Sequence, residues 1–210
     1  MKRAAFYIDG FNFYHPVSKR AYLQGKPHLK WMSYASLASL LINRGEEVAN
    51  VKIFTARPTH LPDSLVRHRM MTRAWEAEGC QCILGRFKRK FVFCGDCRRE
   101  TPHFEEKESD VNLAVHLVVD CLADEFDVAY VISSDGDVFP AFETCRRLCP
   151  GKELVTVSPP DLQPCKSIRD LSGVRLARVT WPQVESCPLP LYVYDSEGHL
   201  AATRPHEYNP

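Results

Sequence analysis

The chain has 210 residues, of which 45% are hydrophobic and 25% are charged, and its formal net charge is +1. These values are typical of an ordinary soluble globular protein of about one domain. No apolar run is long enough to span a membrane, and Asp9 interrupts the short N-terminal run, which excludes a transmembrane segment and a signal peptide. The nine cysteines therefore favour reduced thiols in the cytoplasm over a disulfide framework, and we expect no membrane partner.

Strands and helices are predicted to alternate along the chain. Short apolar runs predict strands at 4–9, 51–56, 80–87, 128–133 and 153–158. Periodic apolar positions and capping residues predict helices at 33–45, 62–78, 110–124 and 138–148, whereas the polar stretch 15–32 predicts a loop. In the helix 110–124, an apolar stripe consists of Val111, Val115, Val118 and Leu122.

This alternation favours an α/β fold, a three-layer sandwich with a mainly parallel sheet. We predict one domain over residues 1–180, with a small basic and Cys-containing insertion at 86–105. The pattern fades beyond about residue 180, so residues 181–210 predict an extended C-terminal tail with a hairpin at 196–198.

Four aspartates stand where predicted strands end or a helix begins. Asp9 ends the first strand, and Asp110 opens the long helix. Asp135 and Asp137 directly follow the strand 128–133. Functional groups of parallel α/β sheets collect at such strand ends, and a cluster of carboxylates needs a cation such as Mg²⁺ or Mn²⁺, or protons, to neutralise it. For each aspartate alone, a turn former or a helix cap stays open as the alternative.

A family resemblance rests on three ordered motifs, IDGFNFY (8–14), EEKESDVNLAVHLVVD (105–120) and VAYVISSDGDVFPAF (128–142). Together they resemble the NYN domain family, a PIN-like group to which ribonuclease activity is attributed, over most of residues 3–180. The resemblance implies a PIN-like (Rossmann-like) sandwich with an acidic site for Mg²⁺ or Mn²⁺. The family's acids and its motif asparagine fall on Asp9, Asp110, Asp135, Asp137 and Asn12.

The resemblance implies a metal-dependent ribonuclease that hydrolyses RNA phosphodiester bonds, with these five residues as its catalytic set. The metal would activate a water and stabilise charge on a phosphoryl group. Asn12 and either Ser133 or Ser134 would position the phosphate or the water by hydrogen bonds. RNA is the expected partner, and a homo-oligomer stays open.

Two alternatives to a nuclease stay open as well. One is a non-catalytic module that binds RNA or protein through the basic segment and a zinc knuckle. The other is a hydroxylase resembling 6-hydroxy-3-succinoylpyridine monooxygenase, because that enzyme of bacterial pyridine catabolism has been placed in the same family. No G-x-G-x-x-G opens a helix, so the sequence has no flavin or nicotinamide fingerprint.

A C-x-x-C pair, Cys94 and Cys97, has a spacing common in structural Zn²⁺ sites. His103 is a third candidate ligand, and Cys80 or Cys82 completes the set if the strand 80–87 doubles back as a hairpin. A single C-x-x-C with scattered partners is also compatible with plain reduced thiols at a turn.

Basic residues before this pair are interleaved with phenylalanines. Basic side chains contact phosphates, and aromatic rings stack on bases. The segment therefore offers four candidate RNA contacts, which are Arg86, Lys88, Arg89 and Lys90. The alternative is a solvated edge hairpin, which favours lysines and alternating apolar residues equally.

Overall fold

The computed structural model describes residues 1–93, 95 and 98–210. Its main sheet consists of β1 (Lys2–Asp9), β2 (Glu46–Ala56), β3 (Gln81–Phe93), β4 (Glu100–Lys107), β5 (Val128–Ile132), β6 (Glu153–Ser158) and β7 (Val174–Arg178). The order across the sheet is β4-β3-β2-β1-β5-β6-β7. β4 runs antiparallel to β3, and the other neighbours are parallel. The predicted mainly parallel sheet is therefore confirmed.

The helices are α1 (Gly10–Leu23), α2 (Tyr34–Leu41), α3 (Pro62–Ala77), α4 (Ser109–Leu122), α5 (Phe139–Leu148), α6 (Lys166–Arg169) and α7 (Trp181–Glu185). Short 3₁₀ turns lie at Pro27–Lys30 and His206–Tyr208, and a two-stranded sheet consists of β8 (Tyr192–Tyr194) and β9 (Leu200–Thr203). Within the described part of the chain, no helix combines the length and the apolar character needed to cross a membrane.

Side chains alternate across the buried strand β1 and enter two separate cores. Phe6 and Ile8 belong to the core beneath α1, α2 and α3. Tyr7 belongs to the opposite core, where Leu117 of α4 and Phe142 of α5 also lie. A sheet that buries both faces needs helices on each side. The predicted three-layer α/β sandwich is therefore confirmed.

The loop predicted over 15–32 is wrong for its first part, because α1 continues to Leu23. Phe13, Val17 and Ala21 are spaced by four residues and are buried against the sheet, so this segment has a helical core-facing stripe after all. Pro16 lies inside the helix and removes one backbone donor. Tertiary packing outweighs that cost here.

Most of the apolar stripe expected on α4 does not face the core, and of its four residues only Val118 packs partly buried against it. Val111, Val115 and Leu122 are between half and two-thirds exposed, whereas Leu113 and Leu117 are buried. α4 carries two apolar stripes, and the one on the face of Asp120 is buried because that carboxylate has partners inside the protein.

Residues 181–210 pack onto the helical layer of α1 to α3. The side chains of Val184, Leu189 and Tyr208 are buried in the core of that layer. Trp31 Nε1 donates a hydrogen bond of 2.7 Å to the Pro190 carbonyl. The hairpin predicted at 196–198 is present as the turn between β8 and β9.

Candidate metal centre

An acidic site lies where β1 and β5 end side by side and where α4 begins. Ile8 pairs with Ile132 across the parallel ladder, so Asp9, the last residue of β1, and Ser133, the first residue after β5, lie side by side. Asp110 lies in the first turn of α4, where the helix dipole favours a carboxylate. The carboxyl ends of adjacent parallel strands are where α/β proteins assemble their sites.

Three of the four predicted acids converge. One carboxylate oxygen from each of Asp110, Asp135 and Asp137 lies within 4.8 Å of the other two. Asp110 and Asp135 are half-buried, and Asp137 is exposed. Oxygen ligands in this number suit a hard divalent cation that keeps several waters, as Mg²⁺ does. This group, Asp110, Asp135 and Asp137, is called the acid cluster below.

Asp9 stands next to the acid cluster with its carboxylate bound within the protein. Its Oδ1 accepts from the Asn12 backbone amide at 2.9 Å and caps α1. Its Oδ2 accepts from Ser133 Oγ at 3.0 Å. Burial raises the pKa of Asp9 above its usual range, and the nearby charge of Asp135 adds to that rise. Asp9 therefore acts as a helix cap, which is the alternative to a metal ligand that the sequence left open. Its charge still contributes to the site.

Hydrogen bonds hold the loop after β5 in place. The Ser134 amide donates to Asn12 Oδ1 at 3.0 Å, and the Asp135 amide donates to Ser133 Oγ at 3.0 Å. The Asp137 amide donates to Asp135 Oδ1 at 3.0 Å. Asn12 and Ser133 thus orient the acidic loop from within the protein.

A fifth acid, Glu106, was not recognised in the sequence. Its Oε1 accepts from Ser109 Oγ at 2.6 Å and from the Ser109 amide at 3.2 Å, so it fixes the start of α4. Its charge helps to raise the pKa of both Asp9 and Asp110. The signal was the run E-E-K-E-S-D, but only the register of β4 shows which glutamate faces the site.

The acid cluster carries excess negative charge. Burial, followed by the charges of Asp9 and Asp135, raises the pKa of Asp110 to about 6. A carboxyl group that is difficult to ionise among other carboxylates is relieved by a bound proton or a bound cation. The carboxylate oxygens of the acid cluster fit a divalent metal ion.

The basic segment forms a hairpin at the edge of the sheet. Side chains alternate along β3, so Arg86, Lys88 and Lys90 share one face and Phe87 and Arg89 share the other. On the first face, Arg86 Nε lies 2.7 Å from Glu108 Oε1, and Lys90 Nζ lies 2.9 Å from Glu105 Oε2. These ion pairs offset part of the predicted positive charge, and Lys88 and Arg89 stay exposed.

The predicted zinc ligands are only partly described. Cys94 and Cys97 lie outside the described residues. His103 is exposed on β4 opposite Lys90. Cys82 lies eight residues before Lys90 on β3, roughly 26 Å away at about 3.3 Å per residue, so it cannot share a metal with His103. Cys80 is further still along the chain, is buried, and has a pKa raised by burial to about 12.

Comparisons with known proteins give one curated relative and one solved structure. No family model matches the chain. The chain is similar to 6-hydroxy-3-succinoylpyridine 3-monooxygenase of Pseudomonas putida (strain DSM 28022 / S16), with 28% identity over 179 residues, 69% of this chain and 55% of that protein. The chain thus spans about half the length of the curated relative it matches.

The fold is similar to the crystal structure of a protein of unknown function from Vibrio parahaemolyticus RIMD 2210633. The TM-score is 0.55 and the identity 16%, over 85% of this chain and 93% of that one. Similarity at this identity shows a shared α/β architecture and carries no activity with it.

Proposed function

We propose that this chain is a metal-dependent ribonuclease of the NYN type, which hydrolyses RNA phosphodiester bonds with Mg²⁺ or Mn²⁺ held by the acid cluster. The observation that supports this most is the convergence of Asp110, Asp135 and Asp137 within 4.8 Å at the carboxyl end of a parallel sheet. Their oxygens match what Mg²⁺ and Mn²⁺ prefer. When bound, such an ion supplies water activation and neutralises charge on a phosphoryl group.

The protein's own residues supply the rest of the arrangement. Asp9 and Glu106 keep the site electronegative while their carboxylates fix the starts of α1 and α4. Asn12 and Ser133 hold the acidic loop at a set distance from β1. Such preorganisation matters because a ligand set must be held before the ion arrives.

The test is cleavage of an end-labelled single-stranded RNA by the intact protein in Mn²⁺, with and without EDTA. Asp110→Asn removes the charge of one proposed metal ligand, and the cleavage rate should fall by more than about 100-fold. Even the loss of a residue that only hydrogen-bonds to a metal ligand typically lowers metal affinity or activity by about 10–100-fold. Asp124→Asn is the matched control. Asp124 lies beyond the other end of α4 with φ 59°, a conformation that asparagine tolerates.

Cleavage that survives EDTA, or full activity in Asp110→Asn, would overturn the nuclease. RNA binding without cleavage in any metal would instead favour the non-catalytic binding module.

A hydroxylase is the second candidate, favoured by the similarity to the pyridine monooxygenase. It would consume dioxygen and oxidise a reduced nicotinamide cofactor only when a hydroxypyridine is present, with one oxygen atom going to the pyridine and the other to water. Absorbance at the cofactor's band, measured with the intact protein and such a substrate, separates this activity from RNA cleavage.

A further inference from the structure

A cavity of about 270 Å³ opens between α1 and α3, where β1 and β2 end. Nearly half of the residues that line it carry an aromatic ring, and these are Phe11, Tyr14, His60, His68, Trp75, Phe87 and Tyr208. Pockets for small molecules typically measure about 300–1,000 Å³, so this one has room for a single ring system.

Two elements connect the cavity with the acidic site. Gly10 and Phe11 line it and stand between Asp9 and Asn12 in the chain. Phe87 lines it and pairs directly with Glu106 across the β3–β4 ladder, so both side chains lie on one face of the hairpin. The chain therefore leads directly from the cavity lining to Asp9 and Glu106 of the acidic site.

The start of α1 is packed too tightly to move away from this junction. A Cβ on Gly10 would lie 2.8 Å from the Phe54 carbonyl oxygen, which shows how closely the helix approaches β2. Phe11, the next residue, meets Phe87 edge to face with 5.8 Å between ring centroids. Both rings also border the cavity, where a planar guest can stack on them.

The cavity also has polar groups without partners. His68 Nε2 lies 3.0 Å from Thr55 Oγ1, whereas its Nδ1 is buried and, like His60 Nδ1, has no hydrogen-bond partner among the described residues. Burial lowers the pKa of His68 to about 4, so the ring is neutral at pH 7 and has one donor and one acceptor nitrogen. A buried nitrogen without a hydrogen-bond partner destabilises the folded protein unless something pairs with it.

We propose that this cavity binds one nucleobase of a single-stranded RNA whose adjacent phosphate lies at the acid cluster. The aromatic walls provide stacking, and the two histidines provide hydrogen-bonding atoms for the edge of a nitrogen heterocycle. This inference rests on the proposed function and adds to it that the base in the cavity selects the bond that is cut.

The experiment compares nucleoside 5′-monophosphates with ribose 5-phosphate, which has the same phosphate and no base. Both are titrated calorimetrically into the intact protein in Mn²⁺. At least one nucleotide should bind at least about fivefold more tightly than ribose 5-phosphate, since stacking of one base is worth about 1–3 kcal/mol. Phe87→Ala should abolish that difference, and Phe87→Tyr should keep it.

The matched control is Phe91→Ala. Phe91 lies on the same face of β3, is 57% exposed and does not line the cavity. Circular dichroism and thermal unfolding of each variant establish that a lost preference is not a lost fold.

The outcomes separate this inference from the nuclease. If RNA is cleaved but nucleotides bind no better than ribose 5-phosphate, the base-binding cavity is overturned and the nuclease stands. If nucleotides bind through Phe87 but no RNA is cleaved, the cavity stands and the nuclease falls. If 6-hydroxypyridine-3-carboxylate binds through Phe87 and nucleotides do not, the nucleobase is overturned in favour of a free pyridine.

Discussion

Asp120 is a buried carboxylate on the same helix as Asp110, but it serves the core. Its Oδ2 accepts from Lys52 Nζ at 2.6 Å and from the Tyr7 hydroxyl at 2.6 Å. Burial, with a further contribution from Asp120, raises the pKa of Tyr7, so the phenol remains a donor. This triad joins β1, β2 and α4 beneath the acidic site.

We expect Asp120→Ala to lower the free energy of unfolding by about 3–5 kcal/mol, because it leaves the Lys52 ammonium buried without its counter-charge. Urea denaturation followed by circular dichroism measures this loss. Glu125→Ala, an exposed change just beyond the same helix, should stay within about 0.5 kcal/mol. A loss below about 1 kcal/mol for Asp120→Ala would show that water reaches Lys52.

His68 makes stability depend on pH. Burial, helped by the charge of Arg57, lowers its folded pKa to about 4 from an ordinary value of 6.5. Between these pH values the unfolded chain binds the proton and the folded protein does not, so stability falls as pH drops from 6.5 towards 4. His68→Gln, which cannot take up a proton, should flatten that part of the stability–pH profile measured by thermal unfolding. His206→Gln, at an exposed residue, is the control and should leave the slope unchanged.

For single residues, the sequence predicted which side chains belong to the acidic site better than it predicted the role of each one. Asp110, Asp135 and Asp137 could be found because strand ends and helix starts are visible in hydrophobic patterns. Asp9 was placed correctly at the end of its strand, but its hydrogen bonds to Asn12 and Ser133 depend on backbone geometry that no pattern encodes.

One glycine, Gly85, lets the two strands of the β3–β4 hairpin come close together where the hairpin reaches the acidic site. A Cβ on Gly85 would lie 2.4 Å from the Lys107 carbonyl oxygen and 3.1 Å from Glu106 Oε1. The end of β4 can reach this position because residue 85 has no side chain. That end carries Glu106 and leads directly into α4.

We therefore expect Gly85→Ala to displace the start of α4 and weaken Mn²⁺ binding by about tenfold, with about 1–3 kcal/mol lost in stability from overpacking. Calorimetric titration of Mn²⁺ gives the affinity. Gly151→Ala is the matched control, since a Cβ there meets nothing within 4 Å. Equal affinities in the two variants would mean that β4 does not position the metal ligands.

Elements were predicted well where one pattern dominated. The five predicted strands are all present, because each is a short apolar run. Four of them are covered on both faces, whereas β3 is only partly buried. α1 was missed because Pro16 and polar neighbours obscured its stripe. The buried face of α4 was assigned wrongly because two apolar stripes compete, and only the partners of Asp120 decide between them.

The whole molecule should be more stable with a metal ion than without one. Three carboxylates that repel one another in the folded state are separated in the unfolded chain, so a cation bound only to the folded protein stabilises it by mass action. At a free Mn²⁺ concentration of 100 times Kd, this amounts to about 2.7 kcal/mol, or roughly 5–10 °C in Tm for a chain of this size.

Differential scanning fluorimetry with and without Mn²⁺ measures the shift. Asp135→Asn with Asp137→Asn should remove it and should leave the metal-free protein at least as stable as the unchanged chain, because two repelling charges are gone. A shift that persists in the double variant would place the ion elsewhere.

At the largest scale, the layer architecture was predictable but the position of the C-terminal residues was not. Alternating strands and helices specify a three-layer sandwich for residues up to about 180. Residues 181–210 show no periodic pattern because each short element buries only a few side chains, such as Val184 and Tyr208. Contacts of this kind depend on the finished surface of α1 and α3.

Tyr208 makes the cavity wall the later of the two sites to be completed during synthesis. The last residue of the acid cluster in the chain is residue 137, whereas the cavity wall includes residue 208. At about 5–20 residues per second, ribosomal synthesis separates these two residues by several seconds. During that interval, a nascent chain would carry every residue of the acid cluster but only part of the cavity wall, so any selectivity that the cavity confers would be acquired last.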